Sequence, residues 1–233
     1  MKQSCLGSRN QKIRNIGGNK VKNIRIYFSQ HHRYFCILLL LIPLKMWFDY
    51  LELTVNPRYF TSTAFDHRIP FIGLFVIPYL LWFLFIPFGL IYTGIHSKRD
   101  FYKLFLFLFG GMVTANLVFM AFPNAQNLRP AICSGDPFSR LVGFIYSVDT
   151  PTDVCPSVHV MGSLAVNAAL QHSEAFSEKR YGKMLSSVLT VLICLSTVFI
   201  KQHSVFDVIC GIVVSAFFYV PLYAIPNRET QNG

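Results

Sequence analysis

Charged residues are scarce in this sequence of 233 residues. They make up 14% of the chain, whereas a typical soluble domain contains about 25%. Apolar residues make up 53%, Phe alone occurs 23 times, and long apolar stretches recur along the chain. The composition therefore argues against an ordinary soluble domain and predicts a protein that faces lipid.

Several motifs are also missing. The six Cys include no C-x-x-C pair, so we expect no zinc site, and no other metal-ligand spacing or cofactor motif is present. The first apolar stretch contains Lys45 and Trp47, and no A-x-A-like cleavage site follows it. We therefore expect an uncleaved first membrane span instead of a signal peptide.

The net charge of +10 is unevenly distributed, because eight of the 21 Lys and Arg residues lie within residues 1–33. In a membrane protein this pattern predicts a basic cytoplasmic tail that touches anionic lipid head groups. RNA binding by the tail is the alternative, but aromatic residues do not alternate with the basic ones as nucleic-acid binding would require. We expect the membrane as a partner, no nucleic acid and no obligatory protein partner.

Six apolar stretches are long enough to form membrane helices, which need about 20 residues. They cover residues 34–53, 70–95, 104–121, 158–172, 185–200 and 204–225. We expect an all-α bundle of six transmembrane helices over residues 34–226, followed by a short cytoplasmic tail, 227–233. Pro78 and Pro87 predict a kink or break in the second span. The fourth span is rich in small residues and predicts a helix buried among the others, with a soluble amphipathic helix as the alternative.

The distribution of basic residues predicts the topology. With the N-terminus in the cytoplasm, the cytoplasmic segments hold fifteen Lys and Arg and the opposite loops hold five. The positive-inside rule therefore favours cytoplasmic N- and C-termini. The short chain and the lack of a recognisable eukaryotic sorting signal lead us to expect a bacterial inner membrane.

Three polar clusters stand out, and the predicted topology puts all of them on the extracytoplasmic side. They are Leu128-Arg129-Pro130 after the third span, Cys155-Pro156-Ser157-Val158-His159 at the start of the fourth, and Lys201-Gln202-His203-Ser204-Val205-Phe206-Asp207 at the start of the sixth. Clusters that are scattered in sequence but gathered at one membrane face are what a site built on helix ends requires.

The last cluster contains a candidate nucleophile. His203 and Asp207 are four residues apart, so on a helix they share one face. The carboxylate can accept the Nδ1–H of the imidazole, which fixes the tautomer and leaves Nε2 as a nucleophile. The same spacing also occurs at polar helix ends that simply lie in interfacial water.

The other two clusters offer groups suited to phosphate. Pro156 and Ser157 predict a helix start, whose N–H groups and dipole favour anions, with His159 in the first turn. Arg129 presents a fork of donors that matches phosphate oxygens, and Lys201 adds a second cation. Taken singly, His159 also fits an interfacial histidine, and Arg129 fits a group that holds lipid head groups without chemistry.

In combination, these residues resemble the type 2 phosphatidic acid phosphatase superfamily. The pattern of that superfamily is a Lys-containing segment ending in Arg-Pro, then Pro-Ser-Gly-His, then Ser-Arg, five residues, His, three residues and Asp. In this chain the corresponding segments follow in the same order: Arg129-Pro130, Pro156-Ser157-Val158-His159 and Ser196, His203, Asp207. The resemblance covers roughly residues 100–225.

The sequence departs from that pattern at three positions. Phe122 stands where the superfamily has Lys, Val158 where it has Gly, and Thr197 where it has Arg, so two usual phosphate-binding cations are missing. Similar relaxed motifs occur in the branch that includes inositol phosphorylceramide and sphingomyelin synthases, which move a phospho-head group between lipids. A second segment is similar to bacterial relatives of that branch: Asp66-His67-Arg68-Ile69-Pro70-Phe71, with Pro78-Tyr79 and Trp82.

The resemblance implies a two-step reaction on a lipid phosphate, without metal or cofactor. His203 attacks phosphorus and forms a phosphohistidine, Asp207 holds and polarises His203, and His159 protonates the departing lipid oxygen. Water or a lipid alcohol then takes the phosphoryl group. The implied phosphate-binding groups, which stabilise the equatorial oxygens, are Arg129, Lys201 and the N–H groups near Ser157.

We therefore expect a membrane lipid-phosphate phosphatase with an extracytoplasmic site. A lipid phospho-head-group transferase is the alternative within the same chemistry. A non-catalytic membrane protein that binds lipid head groups is the alternative outside it, although the presence of both His and the Asp argues against it. A further hypothesis is a disulfide between Cys133 and Cys155, which would clamp Arg129 near the helix start at Pro156.

Overall fold

A computed structural model describes residues 33–132 and 135–225, and the described part is mostly helical with almost no strand. The chain divides into two units, residues 1–40 and 41–233. The described part of the first unit is a 3₁₀ helix, Arg33–Leu40. The basic tail up to residue 32 and the C-terminal tail predicted for 227–233 lie outside the described residues.

The described part of the second unit contains eight α-helices and two very short strands. In chain order they are α1 (Leu41–Thr54), β1 (Tyr59–Phe60), α2 (Ala64–Arg68), α3 (Val76–His96), α4 (Lys98–Ala121), β2 (Asn124–Ala125), α5 (Pro137–Val148), α6 (Val158–His172), α7 (Arg180–Phe199) and α8 (Val205–Tyr219). Single 3₁₀ turns at Gly73–Phe75 and Glu174–Phe176 and a π-helical end at Val220–Ala224 complete the list.

Five helical segments are long and apolar enough to cross a membrane. They are Arg33–Thr54, Gly73–His96, Lys98–Ala121, Arg180–Phe199 and Val205–Ala224. Large apolar side chains such as Leu84 and Phe217 point outwards, whereas polar ones such as Asn116 and Thr190 are buried. This arrangement is the reverse of a soluble protein and fits a chain whose solvent is lipid. The five segments correspond to the first, second, third, fifth and sixth predicted spans.

The fourth predicted span forms α6, which has only 15 residues and is therefore about 22 Å long. It packs against α3, α4, α7 and α8, and ten of its residues are buried. Its many Gly, Ala and Ser residues allow this close approach, because small side chains let helix backbones come near one another. The prediction of a helix buried among the others is confirmed.

Two details of the predicted spans need correction. The second span was predicted to be kinked or broken, and it is not broken, because α3 runs continuously from Val76 through Pro87 to His96; the kink stays a prediction. Pro78 is the third residue of that helix, where its missing N–H would have had no helical partner anyway. The third span begins at Lys98, six residues early, because Ser97 caps the helix by accepting from the Asp100 N–H at 3.2 Å.

The sequence prediction also missed α5, which lies in the loop before α6. The helix begins with Asp136, whose carboxylate accepts the Ser139 N–H at 2.9 Å, and with Pro137 in its first turn. Both are ordinary signals of a helix start. Val142 and Ile145 then pack on Val76 in the core, at the three-residue spacing of one helix face.

The chain segments that follow α1, α4 and α5 are joined at one end of the bundle, which we call the site face. Strand β1 pairs in parallel with β2, matching Tyr59 with Asn124, and Ala125 bridges to Thr152. The Ile72 N–H donates to the Phe199 carbonyl at 3.1 Å, which adds the end of α7. All three polar clusters found in the sequence lie in these joined segments.

Asp66 connects the short helix α2 to the start of α8. The carboxylate is fully buried and accepts the Val205 N–H at 2.7 Å and both the N–H and the hydroxyl of Thr63 at 2.8 and 2.7 Å. Burial raises the pKa of Asp66, but these hydrogen bonds and the nearby Lys201 charge outweigh it and lower the pKa overall. The carboxylate is therefore a stabilising anion at the N-terminus of α8.

We expect Asp66→Asn to destabilise the folded protein by about 1–3 kcal/mol at neutral pH, since charge-assisted hydrogen bonds are lost. The folded pKa lies below the ordinary 3.8, so the carboxylate contributes at all higher pH values and its contribution disappears as pH falls through the folded pKa. Thermal unfolding in detergent should show a gap between the two proteins that is constant near neutrality and closes in acid. Glu174→Gln, at an exposed position, is the control; a gap that persists unchanged in acid contradicts the assignment.

Candidate active site

Two histidines meet inside the bundle at the site face. His159, in the first turn of α6, places Nδ1 3.3 Å from Nε2 of His203, which stands two residues before α8. Both side chains are largely buried, with exposed fractions of 9% and 6%. Residues 44 positions apart in the sequence thus form one polar pair in an apolar setting.

Asp207 lies beside His203, but the local geometry differs from the prediction. His203 is not on the helix, because Ser204 caps α8 and its hydroxyl accepts the Asp207 N–H at 3.2 Å. In return, Oδ2 of Asp207 accepts the Ser204 N–H at 2.7 Å, and it stands 3.7 Å from Nδ1 of His203. The expectation of a shared helical face is wrong, and the contact is too long for a hydrogen bond. The capping turn nevertheless keeps the carboxylate next to the imidazole.

Aromatic rings of α3 contact His159. Its ring centroid lies 4.6 Å from that of Tyr79 and 4.5 Å from that of Trp82, both on α3. Phe83 adds an edge contact at 6.5 Å. These ring contacts hold the imidazole in position next to His203.

Unpartnered polar atoms concentrate at this site. In the described part of the chain, ten buried side-chain N or O atoms have no hydrogen-bond partner, and five of them belong to residues predicted for the site. Leaving such a group unpaired costs about 1–3 kcal/mol, so a concentration of them indicates a place kept for function. The five atoms are Arg129 Nε, Ser157 Oγ, His159 Nε2, His203 Nδ1 and Asp207 Oδ1.

Ser157 is the N-cap of α6 and ties that helix to α8. Its backbone N–H donates to the Asp207 carbonyl at 3.1 Å, while its hydroxyl is fully buried. The two helices approach closely here, because a Cβ on Gly211 would stand 3.0 Å from the Ser157 carbonyl oxygen. The predicted helix start at Pro156 and Ser157 is confirmed. The first turn of this helix carries His159, one member of the histidine pair.

Arg129 lies at the site face, and both of its Nη atoms are already engaged, whereas its Nε has no partner. Nη1 donates to the Asp149 carbonyl at 2.6 Å, and Nη2 donates to the Thr150 carbonyl at 2.9 Å and to Gln202 Oε1 at 2.5 Å. The guanidinium also covers the Tyr146 ring at 4.6 Å. Arg129 thus fastens the end of α5 to the segment that carries His203. Binding phosphate requires it to exchange some of these contacts.

Lys201 is buried, and its ammonium is engaged by backbone carbonyls. Its ammonium donates to the carbonyls of Asp66 and Ile69, both at 2.7 Å, which anchors the α7–α8 turn to α2. Its backbone lies in the left-handed region with φ of 56°, an arrangement that costs a non-glycine residue about 1 kcal/mol or more. The structure therefore gives Lys201 a positioning contact, and the predicted phosphate contact stays a prediction.

The sequence reasoning missed the residue that holds the second cluster in place. Asn124 is buried and uses its whole amide: Nδ2 donates to the carbonyls of Phe122 and Cys155 at 2.8 and 3.0 Å. Its Oδ1 accepts the N–H groups of Val154 and Cys155 at 2.9 and 2.8 Å. Only a carboxamide supplies two donors and two acceptors in this geometry. A lone Asn in a loop gives no such signal.

We expect Asn124→Asp to destabilise the protein by about 2–4 kcal/mol, because two donors become lone pairs that face carbonyl oxygens. Thermal unfolding in detergent measures the change. Asn127→Asp is the matched control: Asn127 is exposed, and its Oδ1 only accepts from the Ser62 hydroxyl at 2.5 Å. Equal stability of the two variants contradicts the assigned role of Asn124.

Cys155 is buried and has no disulfide partner among the described residues. Burial and, after it, the negative charge of Asp207 raise its pKa, so the thiol stays protonated at neutral pH. Cys133 lies outside the described residues, so the proposed pairing of these two cysteines remains a hypothesis.

Comparison of the chain with protein-family models, curated proteins and solved structures found no match. The site itself is therefore the ground for any functional assignment.

Proposed function

We propose that this protein cleaves a phosphorus–oxygen bond of a lipid phosphate ester through a phosphohistidine on His203. The observation that carries the proposal is the buried His159–His203–Asp207 group, with an unpartnered atom on each member. Burying titratable groups without partners lowers the stability of a protein. A group of such residues therefore indicates a catalytic site. The membrane-embedded setting supplies a lipid as the substrate.

In the first step, the Nε2 lone pair of His203 forms a bond to phosphorus. Asp207, 3.7 Å from Nδ1, stabilises the positive charge that develops on the ring. The bond from phosphorus to the lipid oxygen breaks, and that oxygen takes the proton of His159. In the second step, neutral His159 accepts a proton from water or a lipid alcohol, which takes the phosphoryl group and releases His203.

The two histidines have to separate for this chemistry. Their nitrogen atoms are 3.3 Å apart, and a phosphoryl group with its leaving oxygen has to stand between them. The ring of His159 is held by tilted ring contacts with Tyr79 and Trp82 and not by a hydrogen bond at Nε2, so it can shift at modest cost. The 3.3 Å contact between the two histidines thus belongs to the substrate-free protein.

The start of α6 provides a place for phosphate oxygens. Helix N-termini bind anions through free N–H groups and the helix dipole, and the buried Ser157 hydroxyl adds an unpartnered donor. Arg129 contributes its guanidinium charge after part of its carbonyl contacts are exchanged. Lys201 contributes through the position it gives to the turn before His203.

The chemistry and the order of the clusters support membership of the type 2 phosphatidic acid phosphatase superfamily, as a phosphatase or as a head-group transferase. We further propose that α6 is a sixth membrane helix. It begins beside Asp207 at the site face and ends at His172, whose ring lies 5.0 Å from that of Tyr223 in the π-helical segment that follows α8. Six crossings with the basic segments in the cytoplasm put the site face on the extracytoplasmic side of the membrane.

Assay of the detergent-purified protein with a set of lipid phosphate esters tests the proposal. We expect release of the lipid alcohol from at least one of them, loss of that product in His203→Ala and its retention in His67→Ala, since His67 is exposed. Product that survives in His203→Ala contradicts the proposal. No product from any ester, with binding of lipid retained, favours the non-catalytic head-group-binding alternative.

A further inference from the structure

A cavity of about 500 Å³ lies at the end of the bundle opposite the site face, within the second unit. Its wall comes from the end of α3, the start of α4, the end of α6 and the π-helical segment after α8. His159 and His172 stand near the two ends of α6, about 20 Å apart along the helix axis. The cavity is therefore separate from the histidine pair.

This cavity lies at the depth of lipid head groups. Three of the segments that are long and apolar enough to cross a membrane end or begin at its wall: Gly73–His96, Lys98–Ala121 and Val205–Ala224. Tyrosine rings accompany it, because Tyr92 stacks on His96 with ring centroids 4.2 Å apart and Tyr219 stacks on Tyr223 at 5.8 Å. Such rings are common where a membrane meets water, since they have an apolar body and a polar tip.

The cavity wall carries cations that have no anionic partner. Arg99 and Lys103 line it one helical turn apart on α4, and neither forms an ion pair with any carboxylate in the described part of the chain. The ammonium of Lys103 lies 5.1 Å from the centroid of the Tyr223 ring, and the Tyr223 hydroxyl is buried without a hydrogen-bond partner. A guanidinium, an ammonium and a hydroxyl are the donors that phosphate oxygens accept from most readily.

Two histidines add donors to the same wall. Nδ1 of His96 and Nδ1 of His172 lie 2.8 and 2.9 Å from the carbonyl oxygens of Tyr92 and Ala168. A carbonyl oxygen only accepts, so each Nδ1 carries a proton and each Nε2 remains for a ligand. A phosphate oxygen nearby favours a proton on Nε2, which then becomes a charge-assisted donor.

The charge of the surroundings is positive, although the wall itself is mixed. Asp100 and Glu174 also line the cavity. The two segments around it, residues 97–103 and 173–183, contain six Lys and Arg against three Asp and Glu. Basic pockets between membrane helices at head-group depth bind phosphate-bearing head groups. The surplus of cations thus favours an anion, and the two carboxylates limit how much negative charge it brings.

We propose that this cavity is a second binding site, which takes a phosphate group at the end of the bundle opposite the histidine pair. Arg99 and Lys103 bind the phosphate oxygens, and Nε2 of His96, Nε2 of His172 and the Tyr223 hydroxyl donate to them. A lipid head group and free phosphate offer the same oxygens, and the head-group depth of the cavity favours the lipid. The site does not depend on the proposed catalysis, because none of these residues belongs to the histidine pair or its surroundings.

Photolabelling of the detergent-purified protein tests the site. The protein is titrated with a phosphatidylglycerol that carries a diazirine next to its phosphate, and mass spectrometry of peptides measures the label on residues 92–103 and 172–175. We expect this label to saturate and to be displaced by unlabelled phosphatidylglycerol, but not by diacylglycerol with the same acyl chains, which lacks the phosphate. Displacement by millimolar inorganic phosphate assigns the site to free phosphate, and no displacement by it assigns the site to the lipid.

Arg99→Gln and Lys103→Gln are the informative variants, because each removes a charge that has no ion pair to lose. We expect each to raise the lipid concentration for half-saturation by roughly tenfold, since charge-assisted hydrogen bonds to phosphate disappear. Glu174→Gln removes a negative charge and should lower that concentration by about threefold. Arg180→Gln is the matched control: Arg180 is exposed at the same end of the bundle and does not line the cavity.

Three results would overturn the second site: label at the cavity that never saturates, displacement by diacylglycerol as complete as by phosphatidylglycerol, or equal shifts in Arg180→Gln and Arg99→Gln. The last of these assigns the attraction to the general positive charge of this end. Displacement is measured on the unaltered protein, so the test does not depend on the folding of any variant. His203→Ala should label at the cavity like the unaltered protein, which keeps this result independent of the proposed function.

Discussion

Replacement of His203 with alanine is expected to lower the rate of lipid phosphate ester cleavage by on the order of 10⁴-fold or more, because the nucleophile itself is removed. The fold should survive. The side chain makes one polar contact within hydrogen-bond distance, with His159 at 3.3 Å, and its buried Nδ1 has no hydrogen-bond partner, so we expect only a modest loss of stability. The variant should therefore unfold at a temperature close to that of the unaltered protein, while its activity is lost.

Three measurements on one preparation check this result: the unfolding temperature, the binding of substrate and the rate of product release. His67→Ala is the matched control, since it removes an exposed histidine of the same face without touching the pair. A loss of activity that is matched by a comparable loss of folded protein would assign His203 a structural role. A His203→Ala protein with substantial activity would require a different nucleophile.

Replacement of His159 with alanine is expected to lower the rate by about 10²–10⁴-fold for a natural lipid, whose alkoxide is a poor leaving group. The effect should depend on the leaving group. An ester of p-nitrophenol departs without needing a proton, so the same variant should cleave it at a rate much closer to that of the unaltered protein. Comparison of the two substrates measures the acid role of His159 separately from any effect on folding.

The leaving-group test also separates His159 from the rings that hold it. Trp82→Phe keeps an aromatic face against His159 and removes an N–H that is buried without a partner. It should therefore change both rates only slightly. Equal losses in His159→Ala for the lipid and the nitrophenyl ester would contradict the role as an acid and would assign His159 to positioning.

The sequence contained enough information to predict the helices and the ends that carry the site. Apolar length predicted the five helical segments that are long and apolar enough to cross a membrane, and the Pro156-Ser157 start placed His159 in the first turn of α6. The amphipathic spacing and the Asp136-Pro137 start of α5 were also legible, although they were missed in a long loop. Such signals predict helix ends correctly because the contacts they describe form within one or two helical turns.

The sequence did not predict which groups Arg129 and Lys201 contact. Arg129 and Lys201 were predicted to bind phosphate because of their charge, yet both donate mainly to backbone carbonyls from distant segments. Every residue carries a carbonyl, so no sequence pattern marks the ones that a cation will meet. The roles of Asp66 and Asn124 could not be predicted for the same reason, because their partners are backbone groups that the fold brings near.

Trapping of the covalent intermediate tests the central claim most directly. The protein is mixed with a lipid labelled at phosphorus, quenched in alkaline denaturant, and analysed by mass spectrometry of its peptides, because a phosphohistidine survives base and is lost in acid. We predict an acid-labile modification on His203 that is absent from His203→Ala and persists longer in His159→Ala when the nitrophenyl ester is the donor. A full catalytic rate with no modification on His203, or with an acid-stable modification elsewhere, would contradict the account.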